Sequence, residues 1–299
     1  MCTHGTPRQR TIHGIISGER MSHPYVVCDV FTDKALEGNQ LGVFTDARAI
    51  PDEQMQRLAR EMNFSETTFV LPAEEDGTAR IRIFTPATEL PFAGHPTLGT
   101  AVVLAEARGL DLVRLETQSG IVPVTIDRRN GAPTFGRMEQ PLPSVAPYEL
   151  ADELLAALRV NRSELPVEVY DNGVRHAYVM LASPEAVASL RPETGALEQL
   201  GNVGANAFAG FGTRYKTRMF GTGMGVTEDP ATGSAAGPLA LHLVRHGRVP
   251  WGTEIEISQG VEIGRPSRLF ARAVGSPDRL ERVEVGGSAV IVARGEFLL

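Results

Sequence analysis

Glu66 is the carboxylate whose place in the sequence best suits acid–base chemistry. It follows a predicted helix that begins at Asp52 and ends near Asn63, and it precedes an apolar strand. Phe64 and Phe69 flank it and would limit its contact with water, which favours the protonated carboxyl and raises its pKa. A carboxyl whose pKa lies near the working pH can act as a general acid/base. The alternative is a solvated glutamate at a strand edge.

Two further segments place polar side chains at the predicted N-terminal ends of helices. His95 follows Gly94 and precedes a proline, and Asp229 comes shortly before Gly233 and Ser234. The free amides at a helix N-terminus attract an anion such as a carboxylate. Both segments could equally be capping motifs, because Asp, Ser and Thr are common at helix caps.

Together the three segments predict a site for a small carboxylic acid. If the two helix N-termini face each other across a cleft, their amides would fix a substrate carboxylate beside Glu66, His95 and Asp229. Such a site needs neither a metal nor a redox cofactor. It favours proton transfer next to a carboxylate, as in isomerisation or epimerisation.

Alternating strands and helices are predicted to position these residues. Periodicity and turn residues predict helices at 52–63, 97–108, 149–158 and 184–190. Strands are predicted at 25–31, 41–44, 67–71, 80–84, within 115–126 and 167–181, and at 288–292 and 296–299. This mixture predicts an α/β protein in which strands slightly predominate.

One strand–loop–helix pattern occurs twice in the chain. In the first copy a strand with the sequence Arg-Ile-Phe-Thr is followed by a loop, Gly94 and a helix of small residues that ends at Gly109. In the second copy Arg-Met-Phe-Gly is followed by a loop, Gly233 and a similar helix that ends at Gly247. A repeat of this length predicts two similar half-domains rather than a solenoid of short repeats.

Composition and charge exclude several classes of function. The chain has 299 residues, of which 42% are hydrophobic and 22% charged, so it can bury a sizeable core. Its formal net charge of −7 would repel a phosphate backbone, and nucleic acid is not expected as a partner. The longest uncharged stretch, Leu90–Ala105, contains a histidine and two prolines and falls short of the roughly 18 apolar residues of a spanning helix. No membrane segment is expected.

The cysteine content and the N-terminal residues bear on location. Cys2 and Cys28 are the two cysteines, which predicts free thiols in a reducing, cytoplasmic compartment rather than disulfides or a cysteine metal cluster. The apolar part of the N-terminus, Ile12–Ile16, is too short for a signal peptide. Residues 1–20 are therefore interpreted as a disordered extension or as the product of a misplaced start codon ahead of Met21.

Three further histidines are interpreted as structural. His242 and His246 have the spacing of a metal-binding pair, but the residues between them lack the glutamate of the zinc-protease motif. They are interpreted as a solvated helix end beside Gly247, where cationic groups are favoured. His176 lies within an apolar run and is interpreted as a core or interface residue.

Several short blocks follow one another across nearly the whole chain from Met21. They are Cys28–Asp33 with Gly38–Asn39, Asn63–Thr67, Arg82–Pro86, Glu89–Gly99, Glu228–Ala235, Gln259–Gly260 and Gly264–Ser267. These blocks resemble the signature of the PhzF family, the phenazine-biosynthesis isomerases and their relatives. The resemblance implies the diaminopimelate-epimerase-like fold, in which two pseudo-symmetric α/β half-domains each roll a mixed sheet around a central helix.

The resemblance also implies an organisation and residue roles. The first half-domain is expected at 21–127 plus 288–299 and the second at 128–287, with the active site in the cleft between them, and a homodimer is common. Glu66 resembles the family's general acid/base, and His95 and Asp229 resemble the polar partners that hold the substrate and tune the glutamate. Gly94, Gly233 and Ser234 match the family's positions at the two helix starts. In the family, the backbone amides and the hydroxyl at these positions bind the substrate carboxylate.

The expected activity is that of an isomerase with neither cofactor nor metal. It would act through Glu66 on a small cyclic or unsaturated carboxylic acid such as trans-2,3-dihydro-3-hydroxyanthranilate. An epimerase or tautomerase of an unrelated small acid is one alternative, and a metabolite-binding protein without turnover is another. Two-thiol racemase chemistry is not expected, because neither Cys2 nor Cys28 lies in the three segments.

Overall fold

The structure is a computed structural model that describes residues 21–299. The interpretation of residues 1–20 as an N-terminal extension lies outside the described residues. The strands are β1 Ser22–Val30, β2 Asn39–Phe44, β3 Glu66–Leu71, β4 Ala79–Phe84, β5 Glu89–Leu90, β6 Leu112–Thr117, β7 Gly120–Arg129, β8 Ala132–Gln140, β9 Ser144–Pro147, β10 Glu168–Asp171, β11 Arg175–Met180, β12 Gly204–Phe211, β13 Arg214–Gly221, β14 Val226–Asp229, β15 Ile255–Gln259, β16 Ser267–Ser276, β17 Arg279–Gly287 and β18 Ala289–Leu298. The helices are α1 Asp52–Met62, α2 Gly94–Arg108, α3 Ala151–Leu158, α4 Pro184–Ala188, α5 Thr194–Gln199 and α6 Gly233–Arg245.

Local side-chain chemistry explains where the first two helices end. α1 buries Met55, Leu58 and Ala59 on one face. Its chain leaves the helix at Asn63, whose φ of 52° is left-handed and is tolerated by asparagine. α2 ends at Gly109, which has a φ of 67°, so the predicted glycine terminus is confirmed.

The strands form one mixed sheet in which the same order of pairings occurs twice. In the first half β1 pairs antiparallel with β2, β2 parallel with β3, β3 antiparallel with β4, and β4 parallel with β6, which continues antiparallel through β7 to β8. In the second half β10, β11, β12, β13, β15, β16 and β17 repeat these pairings in the same order and directions. The predicted fold of two pseudo-symmetric α/β halves is confirmed.

The two halves are joined through β8, which pairs with β17. β18 returns from the end of the chain to pair with β1, so the two short strands predicted at 288–292 and 296–299 are one strand. The expected boundary between residues 127 and 128 lies inside β7. Because β8 forms a hairpin with β7 and packs on α2, the strand pairing places it with the first half.

The helices α2 and α6 occupy the centres of the two halves. α2 contacts β1, β2, β6, β7 and β8, and α6 contacts β11, β16 and β17. Every residue from Gly94 to Ala105 and from Gly233 to Val244 is buried. A helix enclosed on all sides must be apolar all round, which explains the uncharged stretch in the sequence. Within residues 21–299 no helix is long and apolar enough to cross a membrane.

The first residues of α2 and α6 lie against each other. A Cβ on Gly94 would be 2.5 Å from the carbonyl carbon of Gly233 and 2.6 Å from the amide nitrogen of Ser234. A Cβ on Gly233 would be 2.9 Å from the amide nitrogen of His95. Real side chains do not approach backbone atoms this closely, so glycine at both positions allows the two helix N-termini to meet.

We expect Gly94→Ala to separate the two helix ends. Because the new methyl group would meet backbone rather than a movable side chain, unfolding by urea should show a loss of about 1–3 kcal/mol of stability. Gly195→Ala in α5 is the matched control, because its Cβ would meet nothing within 4 Å. That variant should keep or gain up to about 1 kcal/mol from helix propensity. Equal stability of the two variants would contradict the close approach.

Candidate active site

A cavity of about 530 Å³ opens where the N-termini of α2 and α6 meet. Its walls come from both halves of the fold, including β3 and α2 from the first half and β11, β14 and α6 from the second. The structure brings all the predicted site residues to this one cavity, namely Glu66, Gly94, His95, Asp229, Gly233 and Ser234. Their chemical roles stay predictions.

Glu66 is the first residue of β3, and its side chain is 14% exposed. Its Oε2 lies 3.4 Å from Nε2 of His95, and neither atom has a hydrogen-bond partner within residues 21–299. Burial, and then the negative charge of Asp229, raise the pKa of Glu66 well above its ordinary value. Glu66 therefore carries a carboxyl with unused hydrogen-bonding capacity at the cavity wall.

Asp229 lies in a different environment although it lines the same cavity. Its carboxylate accepts hydrogen bonds from Thr232 Oγ1 at 2.6 Å, Asn39 Nδ2 at 2.8 Å and Ser65 Oγ at 3.5 Å. Burial raises the pKa of Asp229, and these three donors oppose that rise. When the two carboxyls share one proton, Asp229 keeps its charge because three donors hydrogen-bond it, and the proton resides on Glu66.

His95 is neutral in this setting. It is the second residue of α2 and is buried, and its Nδ1 lies 3.3 Å from Nδ2 of Asn39. Burial lowers the pKa of His95 to about 3, against a smaller opposing contribution from the backbone of Gln40. An uncharged imidazole beside Glu66 leaves the carboxyl a weaker acid than an imidazolium would.

The loop that carries Asp229 is braced by Gln259. The Gln259 side chain donates to the carbonyl of Asp229 at 2.8 Å and to Thr232 Oγ1 at 2.9 Å. Thr232 in turn donates to the Asp229 carboxylate. This network of hydrogen bonds fixes the carboxylate ahead of the first turn of α6.

Two residues at the site were missed from the sequence. His176 was interpreted as a core or interface residue, but it lines the cavity and its Nε2 lies 2.9 Å from Ser234 Oγ. Asn39 belongs to one of the signature blocks but has no predicted role, and its amide bridges Asp229 and the carbonyl of Ala231. Strand alternation places His176 on the same side of β11 as Tyr178. That this side faces the start of α6, where Tyr178 donates to the carbonyl of Ala235, is visible only in the structure.

The interpretation of His242 and His246 as a solvated helix end is wrong for His242, which is fully buried. His242 Nδ1 and His246 Nε2 lie 3.2 and 3.0 Å from Oε2 of Glu168, and the three ligand atoms lie within 4.8 Å of one another. Arg245 Nη1 also lies 3.2 Å from that oxygen, and Tyr170 donates to it at 2.8 Å. The guanidinium already supplies the cation, so the cluster is an ion-pair network at the far end of α6.

The thiol of Cys28 takes no part in the cavity. It is buried in the core of the first half, and burial raises its pKa above the ordinary value, so it stays protonated. Cys2 lies outside the described residues. This buried position of Cys28, away from the cavity, agrees with the expectation that its thiol does not transfer protons.

The model of the PhzC-PhzF family, phenazine biosynthesis-like proteins, matches residues 28–295. The chain is 50% identical over 277 residues to trans-2,3-dihydro-3-hydroxyanthranilate isomerase from Pseudomonas aeruginosa, covering 93% of this chain and 100% of the relative. The chain belongs to the PhzC-PhzF family.

Solved structures agree with the PhzC-PhzF assignment. A PhzF-family phenazine biosynthesis protein from Bacillus anthracis superposes with a TM-score of 0.81 at 26% identity, covering 93% of this chain and all of the other. A hydroxyproline epimerase from Agrobacterium vitis superposes with a TM-score of 0.64 at 15% identity, covering 93% of each chain. The second likeness shows that the fold extends beyond the PhzC-PhzF family.

Replacing Glu66 with glutamine should stabilise the protein at neutral pH. Because the pKa of Glu66 is raised well above 4.5 in the folded state, the unfolded state releases this proton first as pH rises. The contribution of Glu66 to the free energy of unfolding therefore falls as pH rises above 4.5. Glu66→Gln has no carboxyl to ionise, so this fall does not occur in the variant. Urea unfolding at pH 4 and pH 8 measures the difference between variant and wild type.

The gain in stability from Glu66→Gln should be larger at pH 8 than at pH 4. Glu53→Gln, at an exposed position of α1, controls for the loss of one carboxylate. A gain that is the same at both pH values would contradict the raised pKa of Glu66.

Proposed function

We propose that this protein is an isomerase of the PhzC-PhzF family that moves a proton within a small cyclic, unsaturated carboxylic acid. The substrate we propose is trans-2,3-dihydro-3-hydroxyanthranilate, on which the relative with 50% identity acts by name. The observation that carries the proposal is Oε2 of Glu66, which is buried without a hydrogen-bond partner within residues 21–299 and lies in the same cavity as two helix N-termini.

The helix N-termini supply the binding site for the substrate carboxylate. The amides of the first two residues of α2 and of α6 lack partners within their helices, and both helix dipoles place positive charge at the same point. The Ser234 hydroxyl lies there as well. A carboxylate between the two helix ends would satisfy these donors and place the ring of the acid beside Glu66.

Glu66 then moves the proton. After its own proton has passed to solvent, the Glu66 carboxylate removes a proton from one ring carbon. The carboxyl formed in this way returns a proton to another carbon, so the reaction needs no net oxidation or co-reactant and regenerates the carboxylate. Burial makes ionised Glu66 a stronger base than a solvated carboxylate and keeps the proton on it between the two steps.

His95 and Asp229 assist without taking the proton themselves. His95 Nε2 has no hydrogen-bond partner within residues 21–299 and faces Glu66, so it is available to the substrate or to the carboxyl. Asp229 is committed to donors from Asn39, Ser65 and Thr232, and its charge favours the protonated form of Glu66. The carboxyl with free hydrogen-bonding capacity is the one that exchanges protons.

The alternatives rank lower than the proposed isomerase. An epimerase or tautomerase of an unrelated acid would use the same Glu66 for a different proton transfer, and it ranks lower because the relative with 50% identity is by name an isomerase of trans-2,3-dihydro-3-hydroxyanthranilate. A binding protein without turnover ranks lower because three relatives that match 93% of this chain at 50% identity are isomerases by name. The cytoplasmic location and the homodimer stay predictions, to be tested by cell fractionation and light scattering.

Glu66→Gln should lower kcat for trans-2,3-dihydro-3-hydroxyanthranilate at least about a hundredfold, because the amide keeps the shape but cannot accept the proton. Substrate binding should change little, since the uncharged carboxyl and the amide have nearly the same size. In deuterated water the wild type should place deuterium on a carbon of the product, detected by mass spectrometry, and the variant should not.

Glu53→Gln is the control, because it removes an exposed carboxylate of α1 remote from the cavity lining. Turnover by Glu66→Gln within threefold of the wild type would remove Glu66 from its proposed role. Tight binding of the acid by the wild type without turnover or deuterium exchange would favour the metabolite-binding alternative.

A further inference from the structure

His176 makes a contact at the cavity that the proposed mechanism has not used. It lies on β11 with its side chain fully buried, and its Nε2 is 2.9 Å from the hydroxyl oxygen of Ser234. Ser234 is the second residue of α6 and lines the cavity. The direction of this hydrogen bond decides whether the Ser234 hydroxyl is a donor or an acceptor toward a ligand.

The other ring nitrogen of His176 fixes that direction. Nδ1 lies 3.3 Å from Nδ2 of Asn206, and the same Nδ2 lies 2.9 Å from the carbonyl oxygen of Gly204. The atom facing the carbonyl must be the amide nitrogen, because an amide oxygen there would have no proton to share. The same Nδ2 also lies 3.4 Å from the carbonyl oxygen of Ala177. Because an amide nitrogen is a donor and not an acceptor, Nδ1 faces Asn206 as the acceptor, and the single proton of the neutral imidazole is on Nε2.

Backbone packing holds the ring in this orientation. His176 and Gly204 are register partners in the parallel pairing of β11 with β12. A Cβ on Gly204 would lie 2.6 Å from Nδ1 of His176, so the ring occupies the space that any side chain there would take. Burial also lowers the pKa of His176 to about 3, which keeps the ring neutral at physiological pH.

The tautomer of His176 determines which hydrogen bond Ser234 can offer to a ligand. Since Nε2–H donates to Ser234 Oγ, the oxygen accepts, and the hydroxyl proton is left to point elsewhere. Ser234 lies at the end of α6 where the backbone amides are also donors. The hydroxyl and the amides then present donors to the same space, which suits a carboxylate and disfavours a cation.

We propose that His176 is a positioning residue that orients the Ser234 hydroxyl as a hydrogen-bond donor to the substrate carboxylate. This inference rests on the proposed function for the identity of the substrate. It assigns a chain of three hydrogen bonds, from Asn206 to His176, from His176 to Ser234, and from Ser234 to the ligand.

Two substitutions of His176 test whether its Nε2–H group orients the Ser234 hydroxyl. His176→Leu removes Nε2–H, so the Ser234 hydroxyl loses its fixed direction and KM for trans-2,3-dihydro-3-hydroxyanthranilate should rise about tenfold. kcat should change less than threefold, because the carboxylate contact is present in both the ground and transition states. His176→Gln places an amide N–H close to the position of Nε2–H and should restore most of the loss.

The Ser234→Ala background separates positioning from general stability. If His176 acts through the hydroxyl, adding His176→Leu to Ser234→Ala should not raise KM further. The proposal would be overturned if His176→Leu raised KM equally in the wild-type and Ser234→Ala backgrounds. It would also be overturned if His176→Leu alone left KM unchanged while unfolding at the same urea concentration as wild type. Failure of His176→Gln to restore KM while it remains folded would also overturn it.

Binding of stable ligands tests, without turnover, whether the Ser234 hydroxyl contacts the ligand carboxylate. 3-Hydroxyanthranilate is aromatic and carries the same carboxylate, amino and hydroxyl groups, whereas 2-aminophenol lacks the carboxylate. His176→Leu should weaken binding of the first compound about tenfold and leave the second within threefold of its wild-type affinity, as measured by calorimetry. Equal weakening for both compounds would contradict a contact to the carboxylate.

The tautomer can be read without any ligand. In protein labelled with 15N-histidine, the His176 signals are those lost in His176→Gln, and they should show the neutral Nε2–H form from pH 5 to pH 8. The Nδ1–H form or an imidazolium would overturn the proposal. If the wild type did not turn over trans-2,3-dihydro-3-hydroxyanthranilate, the proposed function would be refuted. The tautomer of His176 would then decide the proposal for His176.

Discussion

The close approach of two helix N-termini is the constraint on which the site depends. Gly94 and Gly233 let the first turns of α2 and α6 meet at distances that no Cβ would tolerate. Two positive helix ends repel each other, and their first amides lack partners within the helices. Both costs fall when an anion lies between them, so the fold creates a carboxylate site where its two halves join. The sheet maintains the approach, because each helix is enclosed by strands of its own half and β8 pairs with β17 across the halves.

The two carboxyl groups at this junction differ in the donors that surround them. Asp229 accepts from Asn39, Ser65 and Thr232, whereas no donor reaches Oε2 of Glu66 within residues 21–299. Hydrogen bonds favour an ionised carboxylate and burial disfavours it, so one group holds the charge and the other holds the proton. The protein thus obtains a proton carrier and a fixed negative charge from two similar side chains by distributing hydrogen-bond donors unequally.

Local patterns in the sequence predicted most of the first half and the main site residues. The glycine at each helix start, the histidine after Gly94 and the flanked Glu66 are features of short segments, and short segments determine caps and turns. The strands β8, β15, β16 and β17 were not predicted individually, because their assignment depends on partners far away in the chain, such as the pairing of β8 with β17. His176 was missed for the same reason, since its apolar neighbours predict a core strand and only the tertiary pairing brings Ser234 to it.

The neutrality of buried His95 preserves the basicity of Glu66, and buried His176 is neutral as well. Burial lowers the pKa of both His95 and His176 to about 3, so neither is an imidazolium at physiological pH. A charged His95, 3.4 Å from the carboxyl, would stabilise the carboxylate and make Glu66 a poorer base. A charged His176 would add positive charge behind Ser234 and favour simple anion retention over release. Because both rings stay neutral, the site attracts a carboxylate through backbone amides and a hydroxyl, and it leaves the pKa of Glu66 to be set by burial and by Asp229.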